Sequence, residues 1–325
     1  MQINEPAAVA PIQPLWRLGF RAGFLCAGLF AVVSMGRWLL WLYRPESWHF
    51  TAGVTPSPYW WHAHEMIFGF AMPVVAGFLL TAVANWTGIA GTRGRPLMVL
   101  FGLWLVARLS LWLLPGLPLL ALAAELGFLA LLGVELTRRV WAVRQWRNML
   151  FTPVLLVLAL LCCASYLFAA DAQLSLRLHY GCVWLVILLV TIIGGRVTPL
   201  FTGNRLGLQI PALPGWFEYL CIGIVALIAL WSPLPGGGNG TAVPAALYLL
   251  AGALHLGRLA HWRGWKTLRV PLLWSMHASY LCIPLALLGL GLVAGDAQAQ
   301  KNMLHLAAVG SIGGMILAMM SRVAL

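Results

Sequence analysis

The chain predicts an all-α fold, a polytopic bundle of about ten transmembrane helices. Three observations predict it. Of 325 residues, 62% are hydrophobic and only 9% are charged, whereas soluble domains carry about 25% charged residues. The apolar runs are each about 18–25 residues long, which at about 1.5 Å per residue crosses a hydrocarbon core about 30 Å thick. The basic residues gather in alternate gaps between the runs, the charge pattern of a chain threaded back and forth through a bilayer.

In chain order, residues 1–13 are polar and rich in Pro and Ala, the composition of a disordered tail. One transmembrane domain, 14–325, follows, with spans expected at 15–43, 59–87, 97–114, 117–137, 151–170, 176–195, 216–234, 242–260, 271–293 and 302–323. The start has no short apolar stretch ending in a small-residue cleavage site, so the first span is expected to serve as an uncleaved insertion signal. Fifteen basic residues fall on one side: Arg17, Arg21, Arg93, Arg95, Arg138, Arg139, Arg144, Arg147, Arg196, Arg205, Arg258, Arg263, Lys266, Arg269 and Arg322. Only Arg44, Arg177 and Lys301 fall on the other, and Arg37 and Arg108 lie inside spans. The positive-inside rule then places the N-terminus in the cytoplasm and His62, His64, His179 and His305 near the outer face. The net charge of +12 is loop charge, not a nucleic-acid footprint; the partner it implies is membrane lipid.

The spans repeat. Gly88 lies 24 residues after His64, and Gly203 lies 24 after His179. Arg196 lies 17 after His179, and Arg322 lies 17 after His305. The three histidines recur at periods of 115 and 126 residues, four spans each. Phe20–Cys26 lies on Met276–Cys282 in the same alignment. The weak repeats run over about 14–137, 148–260 and 270–325, the third copy incomplete. Sites in repeated membrane folds often lie where the repeats meet. The pattern therefore predicts that His64, His179 and His305 converge on one point. Chance alignment of apolar helices is the plain alternative.

The sharpest local signal is His62-Ala63-His64-Glu65 at the mouth of the second span. Ionisable groups inside a membrane span are costly and mark function by default. Residues i and i+2 of a helix point about 200° apart, so the two imidazoles face different ways. Glu65 suits the role of a carboxylate that accepts the free N–H of a metal-bound His. The bland reading is a pair of interfacial histidines reaching for water. Neither the H-E-x-x-H zinc pattern nor a C-x-x-C-H haem-attachment motif is present. The six cysteines all fall in spans and read as core fillers, although Cys162 and Cys163 offer soft ligands for copper. Glu125 lies deep in its span and reads as a proton or hydrogen-bond partner, while Glu135 reads as the ion-pair partner of Arg138. Gly194–Asn204, with Arg196, reads as a cap for a propionate or other anion, or else as a plain helix end. His277 lies deeper from the opposite edge and reads as an outlier: a second metal, a proton path or a core His.

Imidazoles from facing helices suit haem iron or copper. The metal ligands expected are His64, His179 and His305, with His62 next. PLWRLGFRAGF (14–24), WHAHEMIFGFAMPVVAGFLLTAVANWTG (61–88), GGRVTPLFTGN (194–204), PLLWSMHASYL (271–281) and HLAAVGSIGGMILAMMSRVAL (305–325) together resemble the NnrS family of bacterial inner-membrane proteins. That resemblance implies a protein containing haem and copper, linked to nitric oxide and nitrosative stress. It implies non-covalent b-type haem and nitric oxide as the small ligand, and it specifies neither a reaction nor a redox partner. A transporter or metal-delivery protein with an outer histidine cluster as its substrate site is the alternative class. A structural or assembly protein with interfacial histidines is a third.

Overall fold

A computed structural model describes residues 12–47, 57–114, 117–235 and 243–324. Most of the expected N-terminal tail, and the loop carrying His49, lie outside them. Ten apolar helices order the described chain: α1 (Gly19–Tyr43), α2 (Pro58–Thr87), α3 (Arg95–Leu113), α4 (Pro118–Ala142), α5 (Phe151–Leu167), α6 (Ala172–Leu206), α7 (Gly215–Trp231), α8 (Ala245–His261), α9 (Pro271–Leu292) and α10 (Ala297–Val323). Eight are long and apolar enough to cross a membrane, α5 when counted with the turn before it as Trp146–Leu167; α7 and α8, at 17 residues each, are shorter. No strand occurs among the described residues. Two compact units divide the chain, Met1–His179 and Tyr180–Leu325, with the boundary inside α6.

Helix starts are specified side chain by side chain. Ser57 Oγ accepts the Trp60 N–H at 3.1 Å at the start of α2, with Pro58 in the first turn. Asp171 Oδ1 accepts from Gln173 and Leu174 at 3.1 and 2.9 Å before α6. Asp296 Oδ1 accepts from Gln298 and Ala299 at 2.9 and 3.0 Å before α10. Each satisfies helix N–H groups that would otherwise be orphaned. The three capped helices are those that carry His64, His179 and His305, each about two turns inside its cap.

Two of these three helices also share a backbone feature. The turns directly after His64 and His305 widen into π-helix, over Glu65–Ala71 and Leu306–Gly313. Such segments are rare and cluster at functional sites. In the first unit a β-carbon on Gly23 of α1 would press on the Pro73 carbonyl and on Gly77. In the second, one on Gly314 of α10 would press on Ser279 of α9. These are the same two positions under the alignment that pairs Phe20 with Met276 and His64 with His305. Close backbone approach through small residues is how helices associate in lipid. Gly77→Leu is accordingly expected to lower the detergent-phase thermal stability by about 1–3 kcal/mol, the cost of overpacking. Gly36→Leu, where nothing lies within 4 Å, should leave the melting curve unchanged.

Helix α6 departs from expectation. The stretch 194–204 was expected to end a span, but the helix runs 35 residues and passes through Pro199. It stops at Gly207, in the left-handed region at φ 62°. Thr198 and Thr202 are buried on one face, and Thr202 pairs with His277. Tertiary burial there outweighs the breaker signal of the proline. Gly203 therefore sits within the helix, unlike Gly88, which caps α2 at φ 71°.

Candidate metal centre

Five helices of the first unit place polar side chains on one buried point. Helix α2 supplies Trp60, His64 and Glu65; α3 supplies Arg108; α4 supplies Glu125; α5 supplies Cys162 and Tyr166; the first turns of α6 supply His179. His64 and Glu65 are fully buried, and Arg108, Glu125, Cys162 and His179 nearly so.

Arg108 holds the cluster together. Its Nη1 donates to Glu65 Oε1 and its Nη2 to Glu125 Oε2, both at 2.5 Å. One planar fork thus ties two helices to a third, which a compact ammonium group does not do. Gly69, inside the π segment, leaves room for the Phe30 ring and the guanidinium together: a β-carbon there would fall on the ring and lie 3.0 Å from Arg108 Nη1. The ring centre is 5.9 Å from the guanidinium carbon. The Gly69 carbonyl accepts from the Trp104 indole at 3.1 Å.

The histidines are locked in one tautomer. His64 Nδ1 lies 3.1 Å from Glu65 Oε1, and a carboxylate only accepts, so Nδ1 carries the proton. His179 Nδ1 lies 2.7 Å from the Ser175 carbonyl, and the same logic applies. Both Nε2 lone pairs are therefore exposed to the site. Neither Nε2 has a hydrogen-bond partner, and both are buried. His64 Nε2 faces Glu125 Oε2 at 3.5 Å, lone pair against carboxylate oxygen, an arrangement that a cation between them relieves. Donor atoms of His64, Glu125 and Cys162 all lie within 4.8 Å of one another. The His64 and His179 rings are 6.1 Å apart, centroid to centroid, at 79°. Tyr166 stands edge-on to His64 at 5.3 Å, its buried hydroxyl without a hydrogen-bond partner. Two carboxylates against one guanidinium leave a formal excess of one negative charge, which a bound cation offsets.

The other candidates have surroundings of their own. His62 points away from His64, as their spacing requires, and stacks on Trp38 at 4.1 Å. Glu65, expected to serve one of the two, pairs with its neighbour His64. In the second unit, His305 is exposed, with Nδ1 2.8 Å from the Lys301 carbonyl. It thus shares the Nδ1 bond to the carbonyl four residues back seen at His179. Arg196 is half-buried on α6. His277 Nε2 lies 2.9 Å from Thr202 Oγ1, and its Nδ1 faces the backbone of Gly264. Cys162, one of the two cysteines the sequence offers as soft copper ligands, reaches the site; Arg108 and Tyr166 were not singled out as site residues by the sequence. The available signal was electrostatic: a lone Arg in one apolar span and a lone deep Glu in the next.

No curated protein and no solved structure matches the chain. The family model described as NnrS protein matches residues 14–325, nearly the whole chain and all the helices just described. With its apolar helices and its buried polar centre, this multi-pass membrane protein belongs to the NnrS family.

Proposed function

We propose that this protein is a haem- and copper-binding component of the bacterial inner membrane that acts in the response to nitric oxide and nitrosative stress, with its N-terminus in the cytoplasm. Membership of the family supports a nitric-oxide-response membrane protein. The observation that carries the metal is the pair of buried imidazoles, each with its Nδ1 proton committed and its Nε2 unpartnered. Beside them stand the Glu125 carboxylate and the Cys162 thiol. Imidazole with thiolate suits copper. His64, Glu125 and Cys162 would hold the ion, with His179 alongside. Bound there, copper supplies one-electron chemistry and a site for a small diatomic ligand.

The chain's own residues prepare that site. Glu65 fixes the His64 ring and tautomer, the role of an outer carboxylate at metal sites. Arg108 fixes Glu65 and Glu125 together. The Tyr166 hydroxyl is a hydrogen-bond donor in electrostatic reach of Glu125, Cys162 and Arg108. The haem fits this point less well. Trp60 stacks on His64 at 4.6 Å and stands 5.6 Å from His179, filling the sector that a macrocycle clamped between those two rings needs.

The test is elemental analysis with an optical spectrum of the purified protein. Copper is expected in the wild type and lost in His64→Ala and in Cys162→Ala. Glu65→Gln should weaken copper by about 10–100-fold while leaving the donors in place. Copper retained in both His64→Ala and Cys162→Ala overturns the assignment. A colourless protein that moves copper into vesicles supports a transporter instead.

A further inference from the structure

A groove of about 800 Å³ opens on the first unit between α4 and α5. Ligand-sized sites fall in the range of about 300–1,000 Å³. Along α4 it runs from Leu126 to Ala142, about 24 Å at 1.5 Å per residue. Its floor is small: Ala130 and Gly133 on α4 and Ala159 on α5 leave the space, and a β-carbon on Gly133 would meet nothing within 4 Å. The walls are leucines. The Thr137 and Thr152 hydroxyls, toward one end, are turned to one another at 2.7 Å.

One end is different. Arg138 and Trp141 close the groove there. The Arg138 side chain is 56% exposed, and Trp141 is 60% exposed and packs edge-on against Trp146 at 5.3 Å. Glu135 accepts from both Arg138 and Arg139 at 2.8 Å, so two cations share one carboxylate. Arg144 and Arg147 are exposed on the turn that follows. A long apolar channel therefore ends in surplus positive charge beside an interfacial tryptophan pair. Tryptophans mark the headgroup level, and basic pockets between membrane helices bind anionic headgroups.

We propose that this groove seats one acyl chain of an anionic phospholipid, whose phosphate is held at Arg138 beside Trp141. The mutually bonded threonines leave no polar group committed to a ring carbonyl, which favours an acyl chain over a quinone. The far end of the groove stops at Leu126 and Ala159, next to Glu125 and one turn from Cys162. The lipid thus braces the two helices that carry those donors.

Native mass spectrometry of the full chain, with phosphatidylglycerol or phosphatidylcholine added in detergent, tests this. The expected result is one retained phosphatidylglycerol and little phosphatidylcholine. Arg138→Gln should lower phosphatidylglycerol retention about five-fold, the effect of one basic residue at a lipid surface. Gly133→Phe should abolish retention by filling the groove, while Gly133→Ala keeps it. Equal retention of both lipids, retention unchanged in Arg138→Gln, displacement by a ubiquinone analogue, or a dimer that Gly133→Phe dissociates each overturns the proposal. Should Gly133→Phe fail to fold, the Arg138→Gln comparison decides alone.

Discussion

Arg108→Ala is expected to destabilise the protein by about 3–5 kcal/mol, the cost of removing one partner from a buried ion pair. The reason is what it leaves behind. Glu65 is wholly buried and Glu125 is 2% exposed, so neither carboxylate is reached by water once the guanidinium is gone. Most of the loss is therefore the penalty on two stranded charges rather than the worth of two contacts. That origin makes a second outcome follow. Arg108→Met combined with Glu65→Gln and Glu125→Gln should be more stable than Arg108→Ala alone, because the charges leave together. Arg108→Lys should fall between, since an ammonium point charge does not span both carboxylates. Equilibrium unfolding in mixed micelles reads all four proteins. A value for Arg108→Ala within about 0.5 kcal/mol of wild type, the range of an ordinary surface change, would show that the cluster is not what holds these helices.

How much of this was legible beforehand depends on the range of the interaction. The helices were legible because insertion in a bilayer demands long apolar runs, a local property of the sequence. The His64–His179 relation was legible only through the repeat, which assigns both the same depth. The structure then sets their rings 6.1 Å apart within one unit. The side-chain caps Ser57, Asp171 and Asp296 stood in the sequence seven to nine residues before the three histidines, a shared feature that span counting overlooks. The Arg108 fork was not legible, because it joins three helices and no spacing within one helix reveals it. Cys162 was only half legible. The sequence offers it beside Cys163 as a soft ligand, a buried cysteine usually packs as a small hydrophobe, and only the proximity of His64 and Glu125 separates it from its neighbour. The π segments were equally silent: they depend on which carbonyl each N–H reaches, not on composition. At α6 the local signal pointed the wrong way, because Pro199 marks a stop that burial of Thr198 and Thr202 overrides.

The same glycines that read as a helix end carry the second large effect. Gly195→Val is expected to destabilise the second unit by about 2–3 kcal/mol. A β-carbon at Gly195 would fall on the Arg258 guanidinium, which is 1% exposed. That guanidinium donates to the Thr191 carbonyl at 2.9 Å and to the Tyr280 hydroxyl at 2.8 Å, and it bonds Glu218 through both Nε and Nη2. Tyr280 O–H donates in turn to His255 Nδ1 at 2.8 Å, and His255 Nε2–H donates to the Cys221 carbonyl at 3.3 Å. Displacing Arg258 breaks the head of that chain, and hydrogen bonds to a charged group contribute about 1.5–3 kcal/mol. The loss should stay below that of Arg108→Ala, because the Glu218 side chain is 29% exposed and is hydrated when it loses its partner. The decisive comparison is a double-mutant cycle. Arg258→Leu removes the group that the Val side chain would strike, so adding Gly195→Val to it should cost much less than in the wild type. A coupling of about 0.5–3 kcal/mol is the range for residues in contact. Additive costs would mean that Gly195→Val acts through the helix backbone alone. Gly223→Val, on an exposed face of α7 with nothing within 4 Å, reports that backbone cost separately, and the difference between the two valines isolates the space that Gly195 keeps for Arg258.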